Sequence, residues 1–272
     1  MAVTDIVVET RGLAFSHGRQ PLLKSVDLTI ARGRVVAILG ASGSGKTTLL
    51  QLIAGALKPT AGSITVFGRE VPRLTTHELY RLRRRMGMMF QKGGLFSDLS
   101  VFENVAFPIR EHTRLPPEIL HDLVLMKLHA VGLRGAHGLM PAELSGGMSR
   151  RVALARAIAL DPDLMIYDEP FAGLDPITLN VVGHLIRTLN DALGVTSVIV
   201  TYDVKEALLL ADELYILNEG IMIAHGPTAD MLASQDPYVH QFLHAEPDGP
   251  VRFHFPAPSL ARELELDAVG PA

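Results

Sequence analysis

The run Gly40-Ala41-Ser42-Gly43-Ser44-Gly45-Lys46-Thr47 has the residue types and the spacing of a phosphate-binding P-loop. It follows an apolar, strand-like stretch over residues 34–39 and begins a helix-like stretch over residues 46–55. Glycines allow consecutive backbone N–H groups to face a phosphate, and the helix N-terminus adds partial positive charge. Lys46 is placed to reach the β- and γ-phosphates, and the Thr47 hydroxyl to hold Mg²⁺. The pattern predicts nucleotide binding, with contacts from Gly40, Ser42, Gly43, Ser44, Gly45, Lys46, Thr47 and Thr48.

Two adjacent acids follow a second apolar, strand-like stretch over residues 164–167. The carboxyl end of a strand in a parallel α/β sheet is where ligands bind. Asp168 is therefore expected to reach the Mg²⁺ shell, and Glu169 to polarise an attacking water as a general base. In a chain that also has a P-loop, this pair of acids indicates hydrolysis of a nucleoside triphosphate, with ATP and Mg²⁺ as the expected ligands.

A second anion-binding pattern, Ser145-Gly146-Gly147 within the run 144–148, precedes a helix-like stretch over residues 152–160. One chain thus carries two phosphate-binding patterns but one P-loop. The simplest explanation is a head-to-tail dimer in which each nucleotide lies between the P-loop of one copy and the LSGGM run of the other. Such a dimer closes when ATP binds and opens after hydrolysis.

The elements that must position these residues follow from the periodicity of the apolar side chains. Alternating runs over residues 6–8, 25–30 and 63–66 predict strands, and the β-branched run 195–200 suits a buried parallel strand. The chain becomes helical from about Ser97 to Leu160, and residues 214–217 and 221–224 predict a hairpin. A helix over residues 177–193 is expected to bury one apolar face, formed by Ile177, Val181, Leu185, Ile186, Leu189 and Leu193.

Composition and charge exclude several classes of function. A net charge of -4 argues against non-specific binding of nucleic acid, so we expect no nucleic-acid partner. The absence of cysteine excludes disulfides, thiolate catalysis and cysteine-based metal sites. The N-terminus lacks the pattern of a signal peptide, and no segment is apolar enough to span a membrane. We therefore expect a cytosolic protein that other subunits hold at any membrane.

These motifs, together with Gln91 after the strand-like run 86–90 and the loop Gly173-Leu174-Asp175, occur in the order of an ABC transporter ATPase subunit. The chain resembles that family over roughly residues 5–240. The resemblance implies an α/β fold of the P-loop NTPase class, with a RecA-like core, an antiparallel β subdomain and a helical signature subdomain at about 97–160. The ATPase domain would span residues 1–245.

The resemblance also implies roles for individual residues. Gln91 would sense Mg²⁺ and the lytic water, and Asp175 would communicate across the dimer. His17 falls where the family has an aromatic residue that stacks on adenine. Phe15 is an alternative, and a strand-end His17 without a role in nucleotide binding is another.

Tyr202 departs from the family pattern, which has a histidine that contacts the γ-phosphate after the strand at 195–201. A tyrosine hydroxyl donates one hydrogen bond and stays neutral near pH 7, whereas an imidazole can carry charge. We expect slower hydrolysis with ATP binding retained. A tolerated variant with normal turnover is the alternative.

Within the family, several stretches resemble the ATPase subunits of the Mla phospholipid transporters, which maintain outer-membrane lipid asymmetry. They are the runs 90–99, 104–108, 110–113, 139–141, 168–178 and 248–253. This resemblance implies four partners: a second copy of the chain, a membrane permease, a STAS-domain protein and a periplasmic MCE protein. It also implies a peripheral location on the cytoplasmic face of the bacterial inner membrane. Residues 246–272 would form a C-terminal extension that packs on the partner ATPase.

The residues themselves allow three alternatives. Phe96 and Leu99 lie where the family receives its permease, but ordinary packing explains them equally well. The chain could instead serve another ABC importer. Finally, because of Tyr202, it could act as an ATP-binding assembly switch with weak turnover.

Overall fold

A computed structural model of the chain describes residues 5–91 and 93–250. In its N-terminal part, alternating buried and exposed side chains form an antiparallel sheet in which β1 (Ile6–His17) lies between β2 (Gln20–Ala31) and β4 (Ala61–Val66). The two-residue strand β5 (Arg69–Glu70) continues this sheet beyond β4. The predicted strands are all present, and β1 and β2 are longer than the alternation alone indicated.

The remaining strands form a mainly parallel sheet. Every residue of β3 (Val35–Leu39), β7 (Leu164–Asp168) and β8 (Thr196–Thr201) is buried, as expected for strands covered on both faces. The short β6 (Met86–Met89) pairs with β7 at the edge of the sheet. The predicted hairpin is formed by β9 (Glu213–Asn218) and β10 (Ile221–Pro227).

The order of the ten strands is β5-β4-β1-β2-β10-β9-β3-β8-β7-β6. Strands β6, β7, β8 and β3 run parallel and are adjacent, so their carboxyl ends meet at one edge. The P-loop, the two acids, Gln91 and Tyr202 each follow one of these strands. The topology therefore gathers residues that are far apart in the chain.

Helices follow or connect these strands. Their bounds in the described residues are α1 Lys46–Ile53, α2 Thr76–Arg83, α3 Val101–His112, α4 Pro117–Ala130, α5 Gly146–Ala157, α6 Pro176–Leu193, α7 Val204–Leu210, α8 Thr228–Leu232 and α9 Pro237–His244. In residues 5–91 and 93–250, no helix combines the length and the apolar character needed to cross a lipid bilayer.

Helices α3, α4 and α5 form the helical part that the sequence predicts between Ser97 and Leu160. Serine side chains cap two of them, because Ser100 Oγ accepts from Glu103 N at 3.2 Å and Ser145 Oγ accepts from Met148 N at 3.2 Å. Their buried side chains belong to the same apolar cluster as Tyr167 of β7. The helical part and this face of the sheet therefore share one core.

The buried face of α6 differs from the prediction. Ile177 is 78% exposed, and Val181 and Leu193 are also exposed. The residues that α6 buries are Val182, Gly183, Ile186, Leu189 and Asn190. Of the predicted face, only Ile186 and Leu189 are buried and Leu185 is half-buried. The buried stripe is rotated by about one residue, because apolar periodicity reports that a helix is amphipathic but not which side its neighbours cover.

The chain divides after Thr228 into two compact units. In the second unit, the Asp236 carboxylate caps α9 by accepting from Tyr238 N at 2.9 Å and from Val239 N at 3.0 Å. Most of the predicted C-terminal extension, residues 251–272, lies outside the described residues, as does Lys92. The predicted domain boundary at residue 245 stays a prediction.

Gly87 offers a test of how tightly β6 packs. A Cβ atom there would lie 2.4 Å from the Ala157 carbonyl oxygen and 2.3 Å from Met165 Sδ. We expect Gly87→Ala to lower the free energy of unfolding by about 1–3 kcal/mol, measured by denaturant titration. Gly138→Ala is the control, since nothing lies within 4 Å of the added atom. Equal stability of the two variants would contradict this packing.

Candidate nucleotide-binding site

A cavity of about 340 Å³ opens where the parallel strands end. Its walls combine the P-loop with residues that follow three other strands. They are Leu22, Ser42, Gly43, Gly45, Lys46, Thr47, Thr48, Gln91, Glu169 and Tyr202. The structure thus brings together most of the residues that the sequence analysis proposed for nucleotide binding and hydrolysis.

The P-loop backbone requires glycine at two positions. Gly43 has φ 81° and Gly45 has φ 105°, both in the region that other residues avoid. A Cβ atom on Gly45 would also meet Leu23 Cδ2 at 2.6 Å. These conformations turn the chain from β3 into α1, so that the loop and the N-terminus of the helix face the cavity.

Lys46 is a nearly buried cation, with only 6% of its surface exposed. Its Nζ donates to the carbonyl oxygens of Gly40 at 2.7 Å and Ala41 at 3.0 Å, and lies 3.9 Å from Glu169 Oε1. Burial lowers the pKa of Lys46, while the charges of Glu169 and Asp168 act to raise it. A phosphate beside Nζ would supply closer anionic oxygen atoms to this desolvated charge.

Gly40 and Ser44 belong to the P-loop but do not line the cavity. A Cβ atom on Gly40 would lie 2.2 Å from the Leu217 carbonyl oxygen, so only glycine allows this approach to β9. The buried Ser44 hydroxyl has no hydrogen-bond partner in the described part of the chain. An unpaired buried hydroxyl in this loop suits a ligand with acceptor oxygen atoms.

Thr47 and Asp168 lie side by side. Thr47 Oγ1 donates to Asp168 Oδ1 at 3.2 Å. Burial raises the pKa of Asp168, against the hydrogen bond from Thr47 and the charge of Lys46. A hydroxyl and a carboxylate at one point form the hard oxygen donor set that Mg²⁺ prefers, so these residues fit that ion.

Glu169 has an unusual backbone. Its φ is 48°, a left-handed conformation that costs energy in a residue with a side chain. The Glu169 N–H donates to the Val200 carbonyl oxygen at 3.0 Å, which fixes the turn after β7. Burial raises the pKa of its carboxyl, while Lys46 and the Tyr202 backbone N–H act to lower it. The residue is 8% exposed and lines the cavity, as a general base should.

Gln91 and Tyr202, which follow β6 and β8, are exposed and complete the wall. Tyr202 is 56% exposed and lines the same cavity as Glu169. The residue that replaces the family's histidine therefore faces the space where a phosphate would bind.

The two adenine-stacking candidates differ in exposure. Phe15 is buried in the core of the antiparallel sheet, so it is not free to stack on a base. His17 is exposed at the end of β1, outside the lining of the cavity. Leu22 of β2 does line it, and sequence reasoning missed this residue because a single leucine in a strand carries no signal.

The LSGGM residues Ser145, Gly146 and Gly147 do not line the cavity of their own chain. Gly147 packs against α6, where an added Cβ would meet Thr178 Cγ2 at 2.5 Å, whereas Gly146 has open space. The Asp175 carboxylate caps α6 by accepting from Ile177 N at 3.0 Å and Thr178 N at 3.1 Å. The hydrogen bond from the Thr178 hydroxyl, together with these backbone hydrogen bonds, holds the pKa of Asp175 below its usual value.

Arg150 connects two walls of the site, and no sequence pattern indicated it. Its guanidinium donates to the Phe90 carbonyl oxygen at 3.2 Å and to the Ala172 carbonyl oxygen at 3.1 Å. These carbonyls belong to the loops that carry Gln91 and follow Glu169. Helix α5, which begins at the LSGGM run, is thereby tied to both loops.

Comparison with known proteins gives consistent matches. Residues 23–172 match the ABC transporter family. The chain is 54% identical to the "Intermembrane phospholipid transport system ATP-binding protein MlaF" of Haemophilus influenzae, covering 95% of this chain and 98% of that protein. Identity to the protein of the same name from Escherichia coli K12 is 53%, covering 95% and 96%.

Among solved structures, the fold matches the dimeric post-hydrolysis state of the ATP-binding cassette MJ0796 bound to ADP and Pi. The TM-score is 0.75 at 31% identity, covering 81% of this chain and 98% of that chain. These matches confirm the predicted fold class. Because the family match spans more than half of the residues and the relatives align over nearly all of them, this chain belongs to the ABC transporter family, as one of its ATPases.

Proposed function

We propose that this chain hydrolyses ATP to power phospholipid transport. The observation that carries the hydrolytic part is that Lys46, Thr47 and Glu169 line one cavity. Asp168 lies directly behind Thr47, whose hydroxyl donates to its carboxylate. The lipid substrate is supported by the printed names of relatives that are 54% and 53% identical to this chain.

In this proposal, Lys46 and the P-loop N–H groups hold the β- and γ-phosphates. Thr47, Asp168 and Gln91 hold Mg²⁺, which when bound neutralises charge on the phosphate oxygen atoms. Glu169 accepts the proton of the attacking water, and the products are ADP and phosphate. The buried, low-dielectric surroundings strengthen each of these electrostatic interactions.

We propose further that two copies work head to tail. Within one chain, the LSGGM run does not line the cavity, and a Cβ atom on Gly146 would meet nothing within 4 Å. A second copy that places Ser145, Gly146 and Gly147 over the P-loop would complete the nucleotide site. The dimeric form of the matched cassette supports this arrangement. Asp175 lies next to the packed Gly147–Thr178 contact, and this neighbourhood supports its role in communication across the dimer.

The membrane partner in this proposal docks in a groove of about 440 Å³ beside the helical part. The rings of Phe96 and Phe107 lie within it in a tilted arrangement with their centroids 4.8 Å apart, and both residues are more than a third exposed. The Arg156 guanidinium lies 5.5 Å from the Phe96 ring and donates to the carbonyl oxygens of Gly93 and Gly94. A permease segment bound here would contact the loop that carries Gln91, and so would influence hydrolysis. The resemblance to the Mla ATPase subunits is the basis on which we propose three further partners: the permease, the STAS-domain protein and the periplasmic MCE protein. It is also the basis for proposing attachment to the cytoplasmic face of the inner membrane.

Tyr202 favours a second candidate function, an ATP-dependent assembly switch with weak turnover. Tyr202 is exposed and lines the cavity at the position where the family has a histidine. The two candidates differ in the rate of phosphate release.

The first prediction concerns Glu169. We expect Glu169→Gln to lower the ATPase rate by about 10²–10⁴-fold while ATP binding is retained, because the amide cannot accept a proton. Because ATP then stays bound without being hydrolysed, the dimer should accumulate, and light scattering measures this. Glu219→Gln is a matched control, since Glu219 also has a positive φ, 46°, but lies in the β9–β10 turn. An active Glu169→Gln variant would contradict the assignment of the base.

The second prediction concerns Tyr202. We expect Tyr202→His to raise the steady-state ATPase rate by about tenfold, the value of one hydrogen bond to a charged group. Tyr202→Phe separates the contribution of the hydroxyl from that of the ring. Equal rates in the wild type and the histidine variant would show that the tyrosine is a tolerated replacement.

The third prediction concerns the docking groove. We expect Phe96→Asp to abolish co-purification with the permease, because it buries a carboxylate in an apolar contact. The ATPase rate of the isolated chain should change little. Met126→Asp, at a residue of α4 that is 64% exposed, serves as the control. Co-purification that survives Phe96→Asp would place the permease elsewhere.

A further inference from the structure

A second carboxyl group lies behind the proposed base. Glu206, in the first turn of α7, is 9% exposed, and its Oε2 accepts a hydrogen bond from Thr201 Oγ1 at 2.8 Å. Thr201 is the last residue of β8 and is fully buried. Neither residue lines the nucleotide cavity, and the proposed chemistry makes no use of them.

The Thr201 hydroxyl has more hydrogen-bond partners than its single hydrogen atom can reach. It accepts from Asp203 N at 3.1 Å and donates to Glu206. It also interacts with the Glu169 carboxyl. Burial raises the pKa of that carboxyl, and the hydrogen bond from the Thr201 hydroxyl is among the interactions that lower it. A hydroxyl carries one hydrogen and two lone pairs, so it cannot donate to two carboxylates at once.

The surroundings of Glu206 favour its neutral form. The charged groups that act on it from the site are Asp203 and Glu169, both negative. From α6, His184 and Arg187 line the same small cavity as Glu206, but Arg187 already pairs with Asp191 and Asp212. Burial, the main cause, and the two acids raise the pKa of Glu206 to about 7, against the hydrogen bond from Thr201.

We propose that Glu206 is a positioning residue that controls the orientation of the Glu169 carboxylate through Thr201. Neutral Glu206 donates its hydrogen to the Thr201 oxygen, and the Thr201 hydrogen then goes to Glu169. This arrangement uses the hydroxyl's one hydrogen and both lone pairs, the second of which receives the Asp203 N–H. When Glu206 loses its proton to solvent, it takes the Thr201 hydrogen, and Glu169 loses that donor. The inference rests on the proposed role of Glu169 as the base.

The pH dependence of kcat in the full-length chain tests this. We expect the wild-type kcat to fall by about tenfold as pH rises through the pKa of Glu206, the effect of one lost hydrogen bond to a charged group. Glu206→Gln should remove this step, because its amide stays neutral and can still donate to Thr201. Identical pH profiles for wild type and Glu206→Gln would overturn the proposal.

Thr201 variants test the connection itself. Thr201→Val keeps the shape of the side chain but removes the hydroxyl. We expect a lower kcat at pH 6.5, no step at higher pH and an unchanged KM for ATP. Thr201→Ser should restore both the rate and the step. A Thr201→Val enzyme with the wild-type profile would rule out transmission through this hydroxyl.

A stability measurement separates titration from catalysis. The pKa of Glu206 rises from its usual 4.5 to about 7 on folding, so the folded state binds the proton more tightly. Its contribution to stability is therefore full below pH 4.5 and is lost as pH rises towards 7. The Tm of Glu206→Gln relative to that of the wild type should therefore increase as the pH is raised from 5.5 to 8. A constant difference in Tm would contradict titration in this range.

The Glu169→Gln variant distinguishes a failure of the proposed base from a failure of the positioning role. If Glu169→Gln still hydrolyses ATP, the proposed base is wrong and the positioning role falls with it. If Glu169→Gln is inactive but Glu206→Gln keeps the wild-type pH profile, the positioning role alone is wrong.

Discussion

A lysine charge held almost out of water organises the catalytic part of this molecule. Lys46 can stay charged there because the P-loop carbonyls and two carboxylates surround it. Those carboxylates, Asp168 and Glu169, are themselves desolvated, and each depends on Lys46 to offset part of that cost. A triphosphate with its metal ion would complete this charge set, which explains how the site can favour nucleotide binding while it keeps the proposed base out of water.

The register of the parallel sheet is the condition for this charge set. Strand β8 lies between β3 and β7, so its end lies next to both the P-loop and the acids. At this end of β8, Thr201 is buried in the interior, and the next residue, Tyr202, lines the cavity. The left-handed turn at Glu169 is held by a hydrogen bond to the same strand. The geometry of the proposed hydrolytic site therefore depends on β8 as much as on the P-loop.

The helical part joins the site through arginine side chains that bind backbone carbonyls. Arg150 holds the loops on either side of the catalytic wall, and Arg156 holds the glycines at 93 and 94. Burial lowers the pKa of both guanidinium groups, and both bind carbonyl oxygens. A displacement of the helices would therefore move these loops, which gives a partner bound in the Phe96 groove a physical route to the nucleotide.

The sequence alone predicted the P-loop, the acids after β7 and the LSGGM run, because each depends on a local turn that a few residues encode. Only the tertiary structure buried Phe15, exposed Ile177 on α6 and brought Leu22 into the cavity. It also placed Arg150 and Glu206, whose partners lie on other elements. Periodicity along one chain reports which residues are apolar or charged. Which neighbour covers them, and how far their charge is desolvated, depends on how separate elements pack.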